Sequence, residues 1–359
     1  MNTHLLEDIP QVDFVGNGEV DLLLPCYVKG LLDGDEVYHP SVNSRTNPAM
    51  ANNPAIISDL SELPVPAFDL VQPALELYSR ISGYLGQIPF SLRTSAGCIF
   101  ACRYCAGVPS WHNLRFRSAQ RLSADLESFR RHIGGQGRIV FLEDELFTVN
   151  KVHVSQVAEV ISSSGDKLLG FYTEASQLSD MQIAELSTLS ESVVFGIEGV
   201  FEADTGKREK GQSLAMIDDM IAKCMRGGLN VQLEYAIGLP NSSLRDTIKA
   251  IAYLYQKLLC RQIWRANTYV FCPHPGTAYG ENPHEYGLVI NCGPEWMLES
   301  GGYPTSTTKY YSANTAYILY LLSQSLIQEA YHSVSMRCGR GPDLESIELL
   351  ILGRLGEIS

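Results

Sequence analysis

Cys98-Ile-Phe-Ala-Cys102-Arg-Tyr-Cys105 packs three cysteines into eight residues, spaced four and then three apart, just after the apolar stretch Pro89 to Leu92. Thiolates are soft ligands, and cysteines this close together point to a metal site. Their number is informative. A closed structural zinc site takes four ligands, and no fourth Cys or His stands at a short spacing; the nearest histidine, His112, is seven residues on. On a cubic four-iron cluster, three cysteines leave one iron open to a substrate or cofactor. Zinc, or an inert buried trio, stays open as the alternative.

The chain has 359 residues, of which 45% are hydrophobic and 19% charged, enough to build a sizeable core in one large domain or two smaller ones. A net charge of −13 argues against a general nucleic-acid binder, which needs a positive footprint. The densest basic run, Arg103, Arg115, Arg117 and Arg121, lies beside the cysteines and reads either as a solvated face or as a contact for a phosphorylated substrate. No apolar run is long enough for a membrane span and no signal peptide is visible at Met1 to Asp8. Nine cysteines, an odd number, fit a reducing, cytoplasmic compartment.

From Pro89 onward, strand and helix patterns alternate. Strands are expected at Phe90–Arg93, Arg138–Leu142, Leu168–Thr173, Ser192–Ile197, Asn230–Ile237 and Gln262–Val270. Helices are expected at Leu122–Ile133, Asn150–Ser163, Ser179–Leu189, Leu214–Arg226 and Leu244–Leu258. This alternation predicts an α/β fold of six βα units, a parallel partial six-stranded (β/α)6 barrel, with its chemistry at the C-terminal strand ends. The cysteines follow the first strand, as that rule requires. Before the barrel, a strand at Val12–Val15, a turn at Gly16–Gly18 and a helix from about Glu19 precede a Pro/Asn/Ser-rich linker over 39–66 and a short helix at Ala74–Ile81. Cys26, in an apolar run, reads as a buried small residue. After the barrel come a long helix at Ser312–Tyr331 and a last one at Leu344–Leu355, either covering the barrel or forming a dimer surface. The expected organisation is therefore 1–88 extension and linker, 89–287 barrel, 288–359 C-terminal cap.

The C-x3-C-x2-C spacing with Tyr104 before its last cysteine resembles the signature of the radical S-adenosylmethionine superfamily, and the resemblance extends over roughly residues 8 to 287. The flanks are most similar to the cobalamin-associated branch: Leu63-Pro-Val-Pro-Ala-Phe-Asp69 resembles its approach to the barrel, and Pro275-Gly-Thr277 its tail after the sixth strand. Residues 11–24 resemble the end of that branch's cobalamin-binding domain, here reduced to a stub. The resemblance implies that Cys98, Cys102 and Cys105 hold a [4Fe-4S] cluster whose open iron chelates the methionine part of S-adenosylmethionine. It implies a 5′-deoxyadenosyl radical that abstracts hydrogen from a small-molecule substrate, in natural-product or cofactor biosynthesis, with an electron donor such as flavodoxin or ferredoxin. A cobalamin-dependent methyltransferase, and a non-enzymatic iron–sulfur or zinc scaffold, are the competing readings.

The same resemblance assigns further residues. Tyr104 falls near the adenine, and so does the backbone at Gly238 in Ala236-Ile-Gly-Leu-Pro-Asn241. In Phe141-Leu-Glu-Asp-Glu-Leu-Phe147, Asp144 and Glu145 fall beside the cofactor's methionine moiety, with Asp144 as the contact to its ammonium. Three adjacent carboxylates at a strand end are otherwise explained by a solvated helix N-terminus. Glu174 and Glu198 stand at the ends of the third and fourth strands. Glu174 suits a ribose or substrate hydroxyl, and with Cys272 at the sixth strand's end it is a candidate catalytic residue; packing is the plainer role for Cys272. Lys207, with Arg208 and Lys210, is placed to hold the cofactor's carboxylate. An auxiliary cluster on Cys272, Cys292 and Cys338 fits no compact ligand spacing. Walker, zinc-protease and serine-nucleophile motifs are missing.

Overall fold

Six short runs rich in β-branched and aromatic residues pair side by side in chain order. They are β3 (Ile88–Leu92), β6 (Arg138–Leu142), β7 (Lys167–Thr173), β8 (Ser192–Gly196), β9 (Asn230–Ile237) and β10 (Arg265–Val270). Every pairing is parallel. In a computed structural model of the chain, residues 6–7, 9–35, 37–45, 54–81, 88–106, 113–133, 138–201, 211–291, 305–333 and 343–358 are described. A helix follows each of β6 to β9 and returns the chain to the sheet's start, which is what parallel pairing demands. The result is an α/β partial (β/α)6 barrel, as the alternation predicts.

The core lies between sheet and helices. Val140, Leu142, Phe171, Val193, Phe195, Val231 and Leu233 are essentially inaccessible, as are Ile161, Ile217 and Ile251 on the covering helices. Helix starts follow local chemistry. Asn150 accepts from the His153 N–H, Ser213 from Met216, and Ser179 and Ser243 form capping boxes with Gln182 and Asp246.

Outside the barrel, β1 (Phe14–Gly16) pairs antiparallel with β2 (Val42–Ser44), so the expected linker over 39–66 contributes a strand and buried side chains at Val42, Ile57 and Leu60. The helix expected from about Glu19 runs Leu23–Asp33, because Glu19 is committed elsewhere: it binds Arg115 and the Ile57 N–H. Cys26 on this helix is exposed, not buried. The helix expected at Ala74–Ile81 begins earlier, at Phe68, with Pro73 inside it. Phe68 packs edge-on against Phe90 and Phe129, at 5.4 and 5.3 Å between centroids. A small hairpin absent from the sequence reading, β4 (Ser95–Ala96) with β5 (Arg115–Phe116), joins the two ends of the cysteine loop. A last ribbon pairs β11 (Val289–Ile290) with β12 (Ser306–Thr307).

The helix Ala313–His332 lies along the edge of β10. There Tyr331 Oη accepts from the Ala266 N–H at 3.1 Å, and Gln324 Nε2 donates to the Thr268 carbonyl at 3.1 Å. Side chains thus occupy backbone groups that an open sheet edge would expose. The final helix, Leu344–Ile358, packs on the helix Leu244–Leu259. Among the described residues, no helix is long and apolar enough to cross a membrane.

Candidate functional site

The C-terminal strand ends open on a cavity of about 350 Å³. Cys98, Cys102 and Cys105 line it, with Phe100 and Tyr104 from the same loop. Glu143, Asp144 and Glu145 line it from the end of β6, Tyr172 and Glu174 from β7, Glu198 from beyond β8, Glu234 from β9 and Tyr269 from β10. Cys102 is buried and the other two cysteines half-buried, with the Cys105 N–H turned onto the Cys102 carbonyl at 3.1 Å.

The acidic run after β6 explains how the cysteine loop is aimed. Asp144 is fully buried and accepts from the Thr94 N–H (2.7 Å), the Thr94 hydroxyl (2.6 Å) and the Ser95 N–H (2.6 Å). Glu145 binds Arg93 and accepts from the Gly97 N–H at 3.1 Å. Glu143 takes the Ser91 hydroxyl at 3.0 Å. Asp144 and Glu145 thus grip the segment leading from β3 to Cys98, and Glu143, which stays exposed, holds the end of β3 itself. Burial pushes the Asp144 carboxyl up to about 6 against those hydrogen bonds. The Thr94 hydroxyl also meets His153 Nε2 at 2.8 Å, and burial brings that imidazole down to about 4.

The loop then reaches across the mouth. Tyr104 Oη donates to Glu198 Oε2 at 3.4 Å, and Tyr269 Oη to Glu198 Oε1 at 3.0 Å. The Tyr279 N–H meets the Arg103 carbonyl at 3.4 Å, and Tyr104 packs against the cluster of Phe271 and Tyr279. So the loop is not remote from the last strand: it bridges from β3 to the far side beyond β10. Burial first, then the Glu198 charge, push both phenols well above the usual tyrosine range, and they remain hydrogen-bond donors.

Of the other expected residues, Cys272 is buried but does not line the cavity. Nor does Gly238, whose φ of 101° only glycine adopts freely and which faces Ala316 and Phe271. Lys207, Arg208, Lys210, Cys292 and Cys338 lie outside the described residues. Three of the four arginines of the basic run are engaged away from the cavity: Arg115 pairs with Glu19, Arg117 with Asp125 at 2.6 Å, and Arg121 binds the Ser61 carbonyl. Glu234 and Tyr269 escaped the sequence reading, although an acid inside the apolar strand Val231–Ile237 was a usable signal.

Among the described residues, no three His, Cys, Asp or Glu side chains converge on a single metal ion. A cubic cluster would give each thiolate its own iron. Three thiol side chains, spread around one cavity and supported by a tied-down loop, are a chemically suitable donor set.

No family model matches the sequence, and no curated protein is similar to it. Solved structures are similar in fold. The radical S-adenosylmethionine methyltransferase TsrM from Kitasatospora setae, with cobalamin and a [4Fe-4S] cluster bound, superposes with a TM-score of 0.65 at 13% identity, over 97% of this chain and 76% of that one. The same enzyme with tryptophan and a cofactor analogue gives 0.57 at 14% identity, over 81% and 59%. The cobalamin-dependent radical enzyme OxsB, with aqua-cobalamin and S-adenosylmethionine, gives 0.55 at 12% identity, over 95% and 48%. The chain shares the fold of these structures. It spans between about half and three-quarters of the length of these structures.

Proposed function

We propose that this protein is a radical S-adenosylmethionine enzyme acting on a small molecule in a biosynthetic reaction. The observation that carries the reading is a single one: all three cysteines of the C-x3-C-x2-C loop line one cavity at the C-terminal ends of a parallel partial barrel. In this reading Cys98, Cys102 and Cys105 hold a [4Fe-4S] cluster. Such a cluster would supply reducing power for radical chemistry on S-adenosylmethionine, directed at a hydrogen atom of the substrate. Tyr104 and Glu198 orient the cofactor across the mouth; the roles of Lys207 at its carboxylate and Gly238 at its adenine rest on the sequence resemblance alone. The acidic run receives its ammonium. Asp144 and Glu145 are engaged with the loop, so Glu143, which takes only the Ser91 hydroxyl, carries most of that contact.

Anaerobically purified protein is expected to hold about four iron and four sulfide atoms per chain. Alanine at Cys98, Cys102 or Cys105 removes them; iron near four in all three variants refutes the assignment. Zinc without sulfide, and no cofactor cleavage under strong reductant, would leave a scaffold protein instead. Glu143→Gln weakens S-adenosylmethionine binding about tenfold with iron unchanged, read from the cluster absorbance during titration. Similarity over 97% of the chain to a cobalamin-bound methyltransferase favours one second reading, cobalamin-dependent methyl transfer. A corrinoid co-eluting after anaerobic reconstitution with hydroxocobalamin supports it.

A further inference from the structure

The cavity holds more negative charge than its expected cofactor balances. Glu143, Asp144, Glu145, Glu174, Glu198 and Glu234 line it together with the three cysteines, and no Lys, Arg or His is among its described lining residues. Arg93 accounts for Glu145, and S-adenosylmethionine carries one net positive charge. Carboxylates facing one cavity repel one another, and a cation placed among them relieves that repulsion.

Glu174 shows where the deficit falls. It is 3% exposed, and Oε2 takes both donors of Ser176, the N–H at 2.8 Å and the hydroxyl. Its other oxygen, Oε1, is buried with no hydrogen-bond partner. A buried carboxylate oxygen without a partner, on a residue of the cavity wall, is costly unless a ligand brings a donor. Aromatic rings at Phe100, Tyr172 and Tyr269 share the wall, and their faces favour a cation as well.

We propose that the substrate carries a cationic nitrogen, an ammonium or guanidinium, which donates to Glu174 Oε1. This rests on the reading of the cavity as a substrate site and adds the substrate's charge class. Glu198 is held by the two phenols, Glu234 accepts from Gln232 and Asn267, and Asp144 is engaged through both oxygens, so among the acids of the wall Glu174 is the one with a buried oxygen left unpartnered.

The test uses reconstituted protein saturated with S-adenosylmethionine and two matched ligand sets that differ only in head group. One is tyramine, tyrosol and hydroxyphenylacetate; the other is aminohexanol, hexanediol and hydroxyhexanoate. Binding is read by ligand-observed NMR and calorimetry. The ammonium member of at least one set is expected to bind about tenfold or more tightly than its hydroxyl partner, and the carboxylates least. In Glu174→Gln, an isosteric change checked by its melting temperature, that preference disappears. Equal binding of all head groups, preference for the carboxylates, no binding by either amine, or an undiminished preference in Glu174→Gln each overturn the proposal. A change in cofactor affinity alone in Glu174→Gln does so too, since it assigns the orphan oxygen to the cofactor. The wild-type preference is informative even if the variant fails to fold. Iron content and cofactor cleavage, measured on the same sample, report separately on the enzyme reading: amine selectivity without a cluster sinks that reading and spares this one.

Discussion

Asp144, Thr94 and His153 form a buried chain in which each proton has one place to go. The Thr94 hydroxyl donates to the Asp144 carboxylate, so it must accept from His153, whose neutral ring therefore carries its proton on Nε2. Phe116 and Phe147 flank that ring, at 4.6 and 6.2 Å between centroids, which accounts for its low proton affinity. The two titrating groups pull stability in opposite directions. Asp144 is raised from 3.8 to about 6, so the folded chain holds more protons in that window and stability falls as pH rises through it. His153 is lowered from 6.5 to about 4, so the unfolded chain holds more protons and stability climbs as pH rises. His153→Gln keeps a donor to Thr94 but removes the second effect. The stability difference between wild type and this variant is expected to grow with pH from about 4 to 6.5 and then level off, in urea titrations across that range. A flat difference would show that the imidazole is not desolvated. The carboxylates of this network were legible as an acidic run at a strand end. Their partners were not, because Thr94 and Ser95 stand about fifty residues earlier in the chain and come into register only when β3 and β6 pair.

Strands and helices of the barrel follow the sequence pattern closely, since length and periodicity suffice where an element buries a whole face. The misreadings sit where tertiary contacts override local signals. The helix expected at Ala74–Ile81 starts at Phe68 and runs through Pro73, because the Phe68 ring completes the packing with Phe90 and Phe129. The β4–β5 hairpin is two residues per strand, too short for any alternation to show. Gly170, inside β7, is another feature set by neighbours. A Cβ there would lie 2.5 Å from Ser192 Oγ and 3.1 Å from the Phe141 ring. The Ser192 hydroxyl is held in place by the Leu169 carbonyl, at 2.6 Å. Gly170→Val is expected to cost about 1–3 kcal/mol through overpacking, measured by urea unfolding. In a Ser192→Ala background, Gly170→Ala should cost less than it does alone, and strict additivity of the two changes would exclude this contact as the cause.

At the scale of the molecule, the N-terminal segment and the cysteine loop are joined through one buried ion pair. Arg115 presents both terminal nitrogens to the Glu19 carboxylate and donates also to the Ile57 carbonyl. Glu19 accepts from the Ile57 N–H at 2.7 Å, and its own N–H meets the Ala55 carbonyl. Burial alone would raise the Glu19 carboxyl; the Arg115 bonds, the Ile57 N–H and the guanidinium charge bring it below the ordinary glutamate range instead. Arg115 belongs to β5, the strand that closes the loop carrying Cys98, Cys102 and Cys105. The pair therefore holds the loop's exit while Asp144 and Glu145 hold its entrance. Removing one partner leaves the other charge buried and unpaired, which typically costs about 3–5 kcal/mol. Glu19→Gln and Arg115→Met are each expected to destabilise the fold and, in the proposed iron–sulfur reading, to shed iron faster under a chelator, although neither residue lines the cavity. Both changes together should cost less than the sum of the two alone, because the double variant leaves no orphan charge. Iron retention equal to wild type in a destabilised Glu19→Gln protein would separate the N-terminal segment from the loop and refute this coupling.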